Sequence, residues 1–120
     1  MAGIYVKAEI LMSLLVLGGA DVIPDHAGIL DRALNQFQPE LPASLNLSFM
    51  NSIVGLRCFE LPDVIMACHE TGMVEWKHGD MRFLKPRLPA THAAEIAFEH
   101  GSIPAFESLG AKIVAAMQVD

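Results

Sequence analysis

The sequence predicts a mainly helical α+β domain of winged-helix type, with about five or six helices and one β-hairpin at roughly residues 73–85. Three observations carry this. Residues 71–86, TGMVEWKHGDMRFLKP, set two alternating runs around a polar break at His78-Gly79. A compact helix signal, LPDVIMACHETG, stands immediately before them, and helical patterns precede that in turn. Helices, then a helix with a glycine stop, then a hairpin make the winged-helix order: a recognition helix followed by a wing.

The elements follow in chain order. From residue 5 to 17 nearly every position except Lys7, Glu9 and Ser13 is apolar, which predicts a helix buried on all sides and stopped by Gly18-Gly19. It is read as the central core helix or as an oligomer contact through Tyr5, Ile10, Leu11, Leu14 and Leu15. A secretory leader is the competing reading of residues 1–20, since Gly18-Gly19-Ala20 loosely resembles a cleavage site. Glu9 argues against it, and the run is shorter than the ~20 residues that span a bilayer. A second helix is expected from Pro24, with Ile23, Ala27, Leu30, Leu34 and Phe37 inward and Asp31, Arg32, Asn35 and Gln36 outward. QPELPA is a connector. SLNLSFMNSIVG fits either period: Leu45, Leu47 and Phe49 alternate like a strand, whereas Leu45, Phe49, Ile53 and Leu56 fit the helix that we favour.

Residues 57–60 read as a short extended piece. The helix after them opens on Pro62 and Asp63, stops at Gly72 and turns Leu61, Val64, Ile65 and Cys68 inward. Its outer face would carry Asp63, Met66, Ala67 and Glu70, with His69 at the edge. In the hairpin, a His78-Gly79 turn would pair Lys77 with Asp80, Trp76 with Met81, Glu75 with Arg82 and Val74 with Phe83. A helix over residues 91–100 and a last one capped by Ser102, with Phe106, Leu109, Ile113 and Met117 inward, complete one domain over residues 1–120.

Composition narrows the function classes. Apolar residues make up 52% of the chain and charged residues 18%, an oily balance that implies surface hidden against a partner or a second copy. A net charge of -6 opposes general nucleic-acid binding. Arg57, Lys77, Lys85 and Arg87 are the candidate phosphate contacts, but the predicted register leaves only Lys85 and Arg87 unpaired there. Asp63 and Glu70 on the recognition face would repel phosphate. Two cysteines predict reduced thiols in a cytoplasmic protein, with a single bridge as the alternative.

No catalytic, cofactor or metal site is expected. His92, Glu95 and Glu99 share a helical face without a partner motif, and the spacing of Cys58, Cys68 and His69 matches no zinc pattern.

Taken together, VKAEILMSLLVLGG, HAGILDRALNQF, DVIMACHETGMVEW, GDMRFLKP and ESLGAKIVAAM resemble the small winged-helix middle components of ABC-type three-component systems. That resemblance is one of pattern over most of the chain. It implies a non-catalytic adaptor that dimerises or docks on a large SMC-like ATPase, and it carries over no catalytic residue. A DNA-binding regulator and an orphan phage or mobile-element protein are the alternatives.

Overall fold

A computed structural model describes residues 3–118. The elements run α1 (Ile4–Leu17), β1 (Ile23–Pro24), α2 (Ile29–Gln36), a 3-10 turn (Gln38–Glu40), β2 (Phe49–Ser52), β3 (Gly55–Cys58), α3 (Leu61–Glu70), β4 (Val74–Lys77), β5 (Asp80–Pro86), α4 (Ala90–His100) and α5 (Ile103–Met117). The strands form two antiparallel sheets, one ordered β1-β5-β4 and the other the hairpin β2-β3. The described residues are thus α+β, with five α-helices, within the five or six expected, and a second hairpin that was not expected.

Because α1 is apolar on nearly every side, it can be stable only if neighbours cover all of it. They do: α3, α4 and α5 pack around it, and Ile10, Leu11, Leu14 and Leu15 are each 0% exposed. Even the hydroxyl of Ser13 turns back to donate to the Glu9 carbonyl at 2.7 Å. This corrects the expected contact surface. Four of its five residues are covered by the chain's own helices, and only Tyr5 remains at the surface.

The second helix begins later than its apolar stripe predicts. Ile23 and Pro24 are instead a short edge strand, with Ile23 opposite Leu84 and Pro24 opposite Phe83. An edge is where a sheet tolerates proline. The chain then turns through Ala27 (φ 56°) and Gly28 (φ 69°) before α2 starts. Asp31, expected to face outward, is buried, and its carboxylate accepts the Cys58 N–H at 2.7 Å. That bond ties α2 to β3.

Residues 45–58 correct the favoured helix. Leu45 and Leu47 are buried while Asn46 and Ser48 are exposed, so the period-2 reading wins. The strands that follow pair Phe49 with Cys58, Met50 with Arg57, Asn51 with Leu56 and Ser52 with Gly55. The Ile53-Val54 turn is held by the Ser52 hydroxyl, which donates to the Gly55 carbonyl and accepts from the Val54 N–H.

α3 keeps its predicted inward stripe, though Ala67 joins it and is buried rather than exposed. Gly72 (φ 76°) ends the segment as expected. In the hairpin, Lys77 does face Asp80, but the register then shifts. Trp76 lies opposite Leu84, Glu75 opposite Lys85 and Val74 opposite Pro86, with the irregularity between Trp76 and Lys77. The shift sends Leu84, 0% exposed, into the core beside Ile23. The charge-matched register would have put it on the opposite face. Two ion pairs change with it: Arg82 bonds Asp80 at 3.1 Å, and Arg87 bonds Glu75.

At the C-terminal end, Ser102 caps α5 by accepting the Ala105 N–H at 3.2 Å, and Phe106, Leu109, Ile113 and Met117 face inward as predicted. α5 crosses α1 at a point where both backbones nearly touch, at Gly110 and Gly18.

Candidate functional site

Two surface features stand out, and both involve the β2–β3 hairpin. The first is a cleft of about 440 Å³ framed by the loop from Asp25 to Gly28, by Asp31 of α2, by Arg57 and Cys58 of β3, by the Leu61, Pro62, Ile65, Met66 and His69 side of α3, and by Trp76 of β4. The His69 ring stacks on Trp76 with centroids 4.6 Å apart and planes tilted by 38°. On the other wall, His26 packs edge-on against Phe83, and its Nδ1 lies 3.0 Å from the Arg82 carbonyl.

Burial pushes the Asp25 carboxyl above its ordinary range; His69 pulls it down, Asp31 pushes it up, and His26 pulls it down. Folding therefore binds a proton at Asp25 more readily than the unfolded chain does. The sign follows: the ionised carboxylate costs stability above its folded pKa, and that cost disappears as the pH falls below its unfolded value. Asp25→Asn should raise the thermal midpoint at neutral pH and leave it unchanged near pH 3, about a unit below the ordinary carboxylate value. Calorimetry at the two pH values checks this.

The two cysteines do not supply a nucleophile here. Both are free thiols in buried positions, and burial lifts Cys58 to about 11 and Cys68 to about 12. Thiols held this high stay protonated at neutral pH. Among the described residues, no group of three or more His, Cys, Asp or Glu side chains is placed to hold a metal ion. His92, Glu95 and Glu99 do share the exposed side of α4.

The second feature is apolar. Met50 (51% exposed), Ile53 (105%) and Val54 (66%) stand out from the β2–β3 hairpin, and Phe59, just after it, is exposed as well. Sequence reasoning missed this surface, because a helix over the same residues would have hidden half of them. The available signal was SIVG, a tight-turn pattern with a glycine able to take the positive φ of 106° found at Gly55.

The candidate phosphate contacts do not form a cluster of free cations. Arg57 folds back over Gly28 and donates to its neighbour's carbonyl, that of Leu56, at 2.9 Å. Lys77 lies 5.6 Å above the Phe83 ring, Lys85 faces Glu75 across the strands, and Arg87 is paired with Glu75. Arg87, expected to be free, is therefore engaged. Meanwhile the exposed side of α3 carries Asp63, Met66 and Glu70, and the Tyr5 hydroxyl donates to Glu70 at 2.6 Å.

No helix among the described residues is long and apolar enough to cross a membrane. Comparison with protein-family models, with curated proteins and with solved structures found no match to this chain.

Proposed function

We propose that this chain is a winged-helix protein-interaction subunit, an adaptor without catalytic activity, working in the cytoplasm. The element order α1-β1-α2-α3-β4-β5 and the sheet order β1-β5-β4 support the winged-helix reading, with β2–β3 as an insertion between the second and third helices. α3 then stands where a recognition helix would, and β4–β5 where the wing would. The observation that carries the function is the surface of these parts. Apolar side chains project from the inserted hairpin and from α3, and the charged positions of α3 are carboxylates. Such a face suits burial against protein and repels a phosphate wall. The likeness to the middle components of three-component systems adds an SMC-like ATPase as the kind of partner such an adaptor serves.

The regulator reading keeps one point in its favour, the basic positions Arg57, Lys77, Lys85 and Arg87 near the wing. It is tested by fluorescence anisotropy with a labelled mixed-sequence duplex at low salt. The adaptor reading predicts no saturable binding. Binding that falls steeply with salt, and drops further in Lys85→Ala or Arg57→Ala, would overturn it in favour of DNA recognition.

A further inference from the structure

We propose that the open edge of β2 is a self-association site, where a second copy of this chain pairs antiparallel about a twofold axis and extends the hairpin into a four-stranded sheet. This deepens the interaction-subunit reading and rests on it.

The hydrogen-bond phase of the hairpin singles out this edge. The Phe59 N–H donates to the Ser48 carbonyl at 2.8 Å, so these two residues form a hydrogen-bonded pair. Hydrogen-bonded and non-bonded pairs alternate along an antiparallel ladder. With the observed register, Met50–Arg57 and Ser52–Gly55 are then the next bonded pairs. The N–H and C=O groups of Phe49 and Asn51 must therefore point away from β3, along the outer edge of β2. The opposite edge is different. There the Cys58 N–H is taken by Asp31 and the Leu56 carbonyl by Arg57. One edge is closed by the chain's own side chains; the other is open at Phe49 and Asn51, the Gln38 amide occupying it only one step earlier, at the Leu47 carbonyl.

The edges of the other sheet show how this chain protects a strand. β1 ends on Pro24, which lacks an N–H, and β4 carries Glu75 and Lys77. Proline and charge are the ordinary means of blunting an edge. β2, with the sequence FMNS, has neither.

Charge points to a second copy as the occupant. The chain holds 14 acidic residues, yet none falls between Glu40 and Glu60, and Arg57 is the sole charged side chain in that interval. Two molecules of net charge -6 therefore pair β2 with β2 without a carboxylate on either strand, and the nearest one, Glu60, is engaged by the Ser48 N–H of its own chain at 2.7 Å. A basic partner would gain nothing from this face. The register is fixed by the outward groups. Phe49 of each copy lies opposite Asn51 of the other, as a pair exchanging both N–H···O bonds, and Met50 meets Met50 at the axis. Ile53 and Val54 of each copy then run alongside residues 47 and 46 of the other.

Sedimentation velocity on the full chain, from low micromolar to several hundred micromolar, tests the proposal. The expected result is a reversible monomer–dimer equilibrium. Met50→Lys places like charges at the axis, and Asn51→Pro removes an outward N–H while leaving the inner ladder intact. Each should weaken the dimer by at least about tenfold with unchanged thermal unfolding of the monomer. A wild-type chain that stays monomeric throughout overturns the proposal. So does a dimer that both variants leave intact, and one that Tyr5→Lys alone dissociates would place the contact at the start of α1. A monomer that also fails to bind duplex removes self-association alone, whereas saturable duplex binding removes the interaction reading beneath it.

Discussion

Gly110→Ala should destabilise the protein strongly, although the same change in an open helix stabilises. Replacing glycine by alanine inside a helix ordinarily gains about 1 kcal/mol. Gly110 sits in the middle of α5, where the gain would be expected. However, a Cβ there would fall inside the van der Waals envelope of the Leu14 carbonyl oxygen and lie 3.0 Å from the Gly18 nitrogen. Both obstacles are backbone atoms of α1 or its cap, and α1 is fixed by helices on its other sides. They cannot move as a flexible side chain would. Overpacking of this kind costs about 1–3 kcal/mol or more, a large share of the roughly 5–15 kcal/mol that holds a domain folded. Urea denaturation should show a markedly lower midpoint for Gly110→Ala. Ser108→Ala, on the exposed side of the same helix, should leave it unchanged or slightly higher. A midpoint for Gly110→Ala equal to or above wild type would mean that the two helices do not cross there.

Leu84→Ala should cost about 2–5 kcal/mol, as truncation of a fully buried leucine does. Met81→Ala should cost almost nothing. The contrast is diagnostic, because the two residues exchange roles between the two hairpin registers. In the charge-matched register Met81 would sit opposite Trp76 on the apolar side and Leu84 would face away. In the observed one Leu84 occupies that place at 0% exposure and Met81 is 70% exposed. Equal losses in the two variants, or a larger loss for Met81→Ala, would restore the charge-matched pairing.

That hairpin also shows where sequence reasoning reaches its limit. Its position was legible because the turn signal is local: Gly79 takes a φ of 77°, and the runs on either side alternate. The register was not, because charge matching favoured the wrong answer. Exposed ion pairs contribute little, whereas burying a leucine is worth about 1.5–3 kcal/mol. The partner that makes Leu84 a core residue is Ile23, some sixty residues earlier in the chain. No local pattern reveals that pairing. The same gap hid β1, whose proline reads as a helix start until an adjacent strand explains it.

Helices with their own stop and start signals fared better. Pro62 and Gly72 bracket α3, and Ser102 caps α5, because these signals act on the backbone within one turn. The surface was the least legible part. The oily composition pointed to a contact region, and α1 seemed to supply it. Yet an all-apolar helix is what a small domain places at its centre, so the surplus had to appear elsewhere. It stands on β2–β3, a segment whose helical and strand periods compete in the sequence. The cleft lined by Asp25, His69 and Trp76 was equally hidden, since it is assembled from four separate elements.

Amide hydrogen exchange at the β2 edge tests the central claim most directly. In dilute solution the Phe49 and Asn51 amides should exchange rapidly, while the Met50 and Arg57 amides, bonded within the hairpin, are protected. As concentration rises into the dimeric range, Phe49 and Asn51 should gain protection together, and Asn51→Pro should abolish the gain at Phe49. Rapid exchange of both amides at every concentration would contradict the account.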